Sequence, residues 1–181
     1  MNVKLKLTLS KEDERRATSA LKTLARKAQN VSAGLKNVGT ALVQVTHDRF
    51  DSMTDPHGKA WQKLAPLTKE LGGSDGSKLR RSGRLKSSVT FSVSGNVLRL
   101  GPNTIYAGVQ QFGATIKPKK GRFLAIPVPK KKRNALGAGG FILLKKVTVP
   151  ARPYIGFGPK DEKAAREVIE DYLAVEGSSK N

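Results

Sequence analysis

From Ala17 to Val45 the apolar residues Ala17, Leu21, Leu24, Ala28, Val31, Leu35, Val38, Leu42 and Val45 fall alternately four and three positions apart. This 3.5-residue repeat runs over four heptads and commits a long N-terminal stretch to helix with one apolar stripe. Ser10 followed by Glu12, Asp13 and Glu14 reads as the start, because a serine oxygen accepts an orphan amide hydrogen and carboxylates favour the positive end of the helix dipole. Asp55-Pro56 and then Gly58 stop it. The stripe is longer than one small domain needs to cover a single sheet. Two arrangements stay open: a long helix on its own sheet, broken near Gly34 and Gly39, or a helix that projects and packs against a neighbouring copy.

Ahead of the helix, Val3, Leu5, Leu7 and Leu9 alternate with polar residues, the two-residue period of a half-buried strand. Beyond it, Gly58 to Gly76 is irregular, with Trp61 and Leu64 as anchors, and Lys78 to Ser88 forms a short helix or turn. Val89–Val93 and Val97–Leu100 form a hairpin about Ser94-Gly95-Asn96. Ile105–Phe112 is short helix or irregular, and Phe123–Val128 and Phe141–Val149 are further strands in which Phe123 and Phe141 serve the core. Asp161–Val175 is an amphipathic helix with Ala165, Val168, Ile169, Tyr172 and Leu173 on one face, followed by a polar tail from Gly177. The expected fold is α+β: one domain over residues 1–181, a small antiparallel sheet packed by a long N-terminal and a C-terminal helix, with a flexible Gly/Lys-rich arm at about 129–140.

Charge is sorted along this chain. Between Asp75 and Asp161 there is no acidic residue, and that block holds eighteen of the 34 Lys and Arg that give the net charge of +20. Residues 1–75 balance at +5 and residues 161–181 at −3. Such sorting points to a polar surface with two partners. The basic groups that cluster away from the helices are Lys117, Lys119, Lys120, Arg122, Lys130, Lys131, Lys132, Arg133, Lys145 and Lys146. They are expected to face DNA phosphates or an acidic protein, and a solvated face is the plain alternative.

Several chemistries lack their residues. There is no cysteine, hence no disulfide or thiolate metal site, and only His47 and His57 carry imidazoles. His47, Asp51 and Asp55 at four-residue steps would share a helical face, a pattern that fits a solvated helix end better than a cation site. Gly137-Ala138-Gly139-Gly140 lacks the Lys-Ser/Thr of a P-loop and the helix of a dinucleotide cradle. No zinc module, basic zipper or RNA-binding aromatic pair is spelled out, and aromatics are 6% of the chain, which leaves sequence-independent attraction to phosphates. The sequence implies no cofactor, no metal and no enzyme. With no continuous apolar leader and Phe141-Ile142-Leu143-Leu144 as the longest aliphatic run, it reads as a soluble protein used without export.

Four segments in order carry a resemblance: Phe50 to Leu67 (FDSMTDPHGKAWQKLAPL), Leu79 to Leu85 (LRRSGRL), Tyr106 to Gly113 (YAGVQQFG) and Val149 to Gly156 (VPARPYIG). Together they resemble the phage virion morphogenesis, or tail completion, family of Mu-like and P2-like tailed phages, from about residue 40 to the C-terminal helix. One departure is Gln110, where the family commonly has histidine, and this favours a structural role at that position. The lysine-rich stretch between 117 and 146 does not match the family pattern.

The resemblance implies a virion protein, assembled in the host cytoplasm, that completes the tail or joins it to the head as a homo-oligomeric ring at the neck. Its partners would be connector and tail-tube proteins and the duplex DNA in the channel, with no membrane. Trp61, Gly83, Tyr106, Gln110, Phe112, Gly113, Arg152 and Pro153 would then staple loops or contact neighbouring subunits. Gly83, Gly113 and Gly156 are expected at turns closed to other residues, and Arg152 is expected to bond carbonyls across a loop or a carboxylate of the next subunit. A monomeric, non-specific DNA-binding protein is the competing reading.

Overall fold

The computed structural model describes residues 10–79, 82–133 and 140–174. The expected strand at Val3–Leu9, the tail from Gly177 and residues 134–139 of the arm lie outside them. The heptad region forms two helices, α1 (Lys11–Gln29) and α2 (Val31–Ser52). The break is at Asn30, and Gly34 and Gly39 lie inside α2. Asn30 interrupts the helix because its side chain accepts from the Ala33 N–H at 3.3 Å, an N-cap made within the run. The carbonyl of Asn30 is then taken by the Tyr172 hydroxyl at 2.9 Å.

Tyr172 belongs to α6 (Pro159–Leu173), which lies along α2. The two glycines allow close approach: a Cβ at Gly34 would stand 3.0 Å from the Tyr172 ring, and one at Gly39 would stand 2.5 Å from Phe91. Phe91 is in β1 (Val89–Ser94), which pairs antiparallel with β2 (Val97–Pro102) in the register Val89↔Pro102 to Ser94↔Val97. So α2 is the central element, with α6 on one side and the β1–β2 hairpin on the other. Met53 in the left-handed region closes α2, its N–H on the Arg49 carbonyl.

The fold is α+β, and among the described residues its sheet is divided into three two-stranded antiparallel ladders. After the short helices α3 (Pro66–Glu70), α4 (Arg84–Ser87) and α5 (Ala107–Phe112) come β3 (Ala114–Ile116), β4 (Leu124–Pro127), β5 (Phe141–Leu144) and β6 (Val147–Val149). β3 pairs with β6, and β4 with β5. The nested pairing makes one long hairpin, interrupted at 117–123 on one side and at Lys145-Lys146 on the other. The stretch Phe141–Val149 is therefore two strands with different partners, not one.

The expected core role of Phe123 and Phe141 is corrected by their exposures of 41% and 59%. In β5 the half-buried Ile142 and Leu144 alternate with the exposed Phe141 and Leu143, so only one face of the ladder is covered. The core sits elsewhere, in Phe50, Trp61, Leu85, Val89, Ala107 and Tyr154. Full burial of a ring such as Phe50 contributes about 1.5–3 kcal/mol.

Candidate functional site

The four sequence blocks converge on the Phe50 ring. Phe50 meets Trp61 edge-on at 5.6 Å and Tyr154 at 5.1 Å between centroids. The Trp61 indole N–H donates to the Pro153 carbonyl at 2.7 Å, and the Tyr154 hydroxyl donates to the Ala107 carbonyl at 3.2 Å. Burial pushes the Tyr154 phenol up to about 12, with a further push from Tyr106. Arg152 donates its Nε and one terminal nitrogen to the carbonyls of Gln62 and Lys63, both at 3.2 Å, and its backbone N–H to the Gln110 carbonyl. Its guanidinium pKa is lowered by desolvation.

The side chain that ties α5 to the last block is Gln111, one position after the expected Gln110. Its oxygen accepts from the N–H groups of Tyr154 and Ile155 at 3.0 and 3.1 Å, and its nitrogen donates to the Ile155 carbonyl at 2.7 Å. Gln110 contributes its backbone carbonyl and lines a cleft beside Arg152. Gly113, at φ +74°, lies against the backbone of Val149 and Ala151 where a Cβ would come within 2.9 Å. Gly83 caps α4 at φ +67°. Gly156 is not in the left-handed region; it is small because Pro56 is there, 2.7 Å from where a Cβ would stand. Tyr106 and Phe112 are 37% and 79% exposed, with Ile105 beside them fully exposed.

A second tie escaped the sequence reading. Arg49 and Asp161 form a buried ion pair, and Arg49 also reaches the carbonyls of Tyr154 and Gly156. Asp161 accepts from the Gly158 N–H at 2.9 Å, so the same carboxylate caps α6. The available signals were an arginine at the end of an apolar stripe and an aspartate two residues after Pro159.

His47, Asp51 and Asp55 do not share a centre. His47 contacts the Lys86 carbonyl, Asp51 pairs with the Lys86 ammonium, and Asp55 accepts from the N–H groups of His57 and Lys59. Among the described residues no group of His, Asp and Glu has a metal-binding arrangement.

The basic residues occupy the hairpin instead. Lys117, Lys119, Lys120 and Arg122 lie in its first interruption and Lys145 and Lys146 in the second, all exposed. Lys130, Lys131, Lys132 and Arg133 form the described part of the tip, a single turn whose Arg133 Nε reaches the Val128 carbonyl. The hairpin's elements pack chiefly on each other. The cations thus stand apart from the Phe50 core.

The sequence profile of the phage virion morphogenesis family matches residues 12–174, from the first turn of α1 to the end of α6. The chain belongs to the phage virion morphogenesis family. Its match takes in α1, which the four blocks alone did not reach. The Mu-like prophage FluMu G protein 2 of Haemophilus influenzae is 26% identical over 156 residues, covering 86% of this chain and 88% of that protein. No solved structure matches. Membership makes this a phage protein with a structural role in virion assembly. No helix among the described residues is long and apolar enough to cross a membrane.

Proposed function

We propose that this family member is the subunit of a homo-oligomeric ring that completes the tail and joins it to the head around the DNA channel. The observation that carries the reading is the amount of ordered apolar surface left uncovered on a single chain. On α1, Leu21 is 67% and Leu24 40% exposed, and the stripe continues into Val31 at 38%. On the hairpin, Phe141 and Leu143 are 59% and 60% exposed on one face. Large apolar side chains grouped in this way mark contact surfaces. They lie on different elements, as a head-to-tail contact in a closed ring requires.

The cations of the hairpin serve the lumen or an acidic neighbour in this arrangement. A few lysines per subunit, repeated around a ring, give a many-charge interaction with duplex DNA, and each neutralised phosphate adds about 0.9 to the log-log salt slope. Lysines act as point charges and hold no fixed register, which suits DNA that must pass through.

The test is complementation of a phage that lacks this protein with a chain whose Lys130, Lys131, Lys132 and Arg133 are replaced by Ser. The reading predicts a folded protein and particles that join poorly or lose DNA. DNA-tight particles at normal yield would remove the role given to the arm.

A further inference from the structure

A cleft of about 480 Å³ opens between the segment around α3 and strand β6. Leu64, Leu67, Leu79 and Val147 give it apolar walls, and its charged lining is Lys78, Lys146 and Arg152 with no carboxylate among them. Two of these cations are withdrawn from water: Arg152 is 4% and Lys78 9% exposed. Buried cations are costly without an anion. Asp75, whose charge is felt at both, is already held by the Lys69 ammonium and the Leu64 N–H. Arg152 is bonded to neutral carbonyls, and no described carboxylate lies within ion-pair distance of Lys78.

The far wall has a second property. Lys146, Val147, Thr148, Val149 and Pro150 line the cleft consecutively. Strand faces alternate, so consecutive lining means that the edge of β6, not one face, borders the space. β6 pairs with β3 on one edge only, and no backbone hydrogen bond among the described residues leaves the other. A free edge is a template for an added strand.

We propose that this cleft binds an extended acidic peptide segment of a partner protein. The segment adds to β6, sets apolar side chains against Leu64, Leu79 and Val147, and places a carboxylate between Lys78 and Arg152. A DNA duplex does not fit, because Lys78 and Arg152 lie below the surface between apolar walls, and a free phosphate would leave those walls wet. The site needs one chain only, so it stands whether or not copies form a ring.

The probe is a pool of blocked pentapeptides alternating Leu, Ile or Val with Asp or Glu, compared with a pool carrying Asn and Gln instead. Hydrogen–deuterium exchange of the full chain reads the site at any oligomeric state. The acidic pool should protect the segment around Val147–Val149 and the amide pool should not. Lys78→Met should weaken binding at least tenfold, and Lys36→Met at an exposed position of α2 should leave it unchanged. Near-UV dichroism checks the fold of Lys78→Met, and Lys146→Glu on the exposed rim should also weaken binding if that variant misfolds. No protection at β6, equal protection by both pools, or binding unchanged in Lys78→Met and Lys146→Glu would overturn the proposal. So would the same protection produced by inorganic phosphate or duplex DNA.

Discussion

Arg49 and Asp161 are 112 positions apart and form an ion pair in which the two side chains are 4% and 3% exposed. The pair fastens the end of α2 to the start of α6, and its other bonds reach the Tyr154 and Gly156 carbonyls and the Gly158 N–H. Removing one partner leaves an uncompensated buried charge. Arg49→Met and Asp161→Leu alone should each cost about 3–5 kcal/mol, whereas the two together should cost less than either single change. Urea unfolding of the three variants measures this. A double variant as damaged as the sum of the singles would show that the pair is not the unit.

Gln111 and Gln110 are adjacent and should behave differently. Gln111→Ala removes three hydrogen bonds and strands two N–H groups, a loss of about 2–3 kcal/mol. Gln110→Ala removes no side-chain bond that holds the last block and should stay within about 0.5 kcal/mol. Thermal melts of both variants decide, and equal shifts would contradict the assignment.

The difference between these two glutamines shows where sequence reasoning stopped. The long N-terminal helical stretch, the C-terminal helix, the β1–β2 hairpin and the short α5 were legible because periodicity and turn residues are local signals. By contrast, α3 (Pro66–Glu70) lies inside the stretch 58–76 expected to be irregular and is too short to show a period. The break at Asn30 was not, because it depends on a side-chain cap and on a Tyr172 hydroxyl arriving from α6 to take the carbonyl. Phe123 and Phe141 read as core residues because apolar strands ordinarily cover one another, and nothing local tells that one face of a hairpin stays bare. The convergence of the four blocks on Phe50 has no local signal, because it joins segments up to about a hundred positions apart through ring contacts and carbonyl bonds. The Arg49–Asp161 tie joins distant residues that carry no shared motif.

Tyr154 should make the fold sensitive to alkali. Its phenol, raised to about 12 by burial, is neutral in the folded chain where the unfolded chain would ionise near the usual value of about 10. Its contribution is therefore complete below about pH 10 and is lost as pH rises toward 12. Tyr154→Phe should lower stability by about 1 kcal/mol at pH 7, through the lost bond to Ala107, and should flatten the decline between pH 10 and 12. A decline of unchanged slope in the variant would assign it to other groups.

The stripe on α1 should matter for assembly and not for folding. Leu21 and Leu24 are exposed, so Leu21→Glu with Leu24→Glu should shift the melting temperature by less than about 2 °C, since surface changes stay within about 0.5 kcal/mol. The same variant should populate smaller species by size-exclusion chromatography with light scattering. Loss of the fold with no change in association would place the stripe inside the subunit.

The central claim is that single chains with uncovered apolar faces close into a ring. Sedimentation velocity of the nuclease-treated protein at low and high salt, with negative-stain images of the main peak, tests it most directly. The account predicts a salt-resistant closed ring of several subunits that forms without DNA. A compact monomer that gains mass only when duplex DNA is added at low salt would contradict it and favour a non-specific DNA-binding protein.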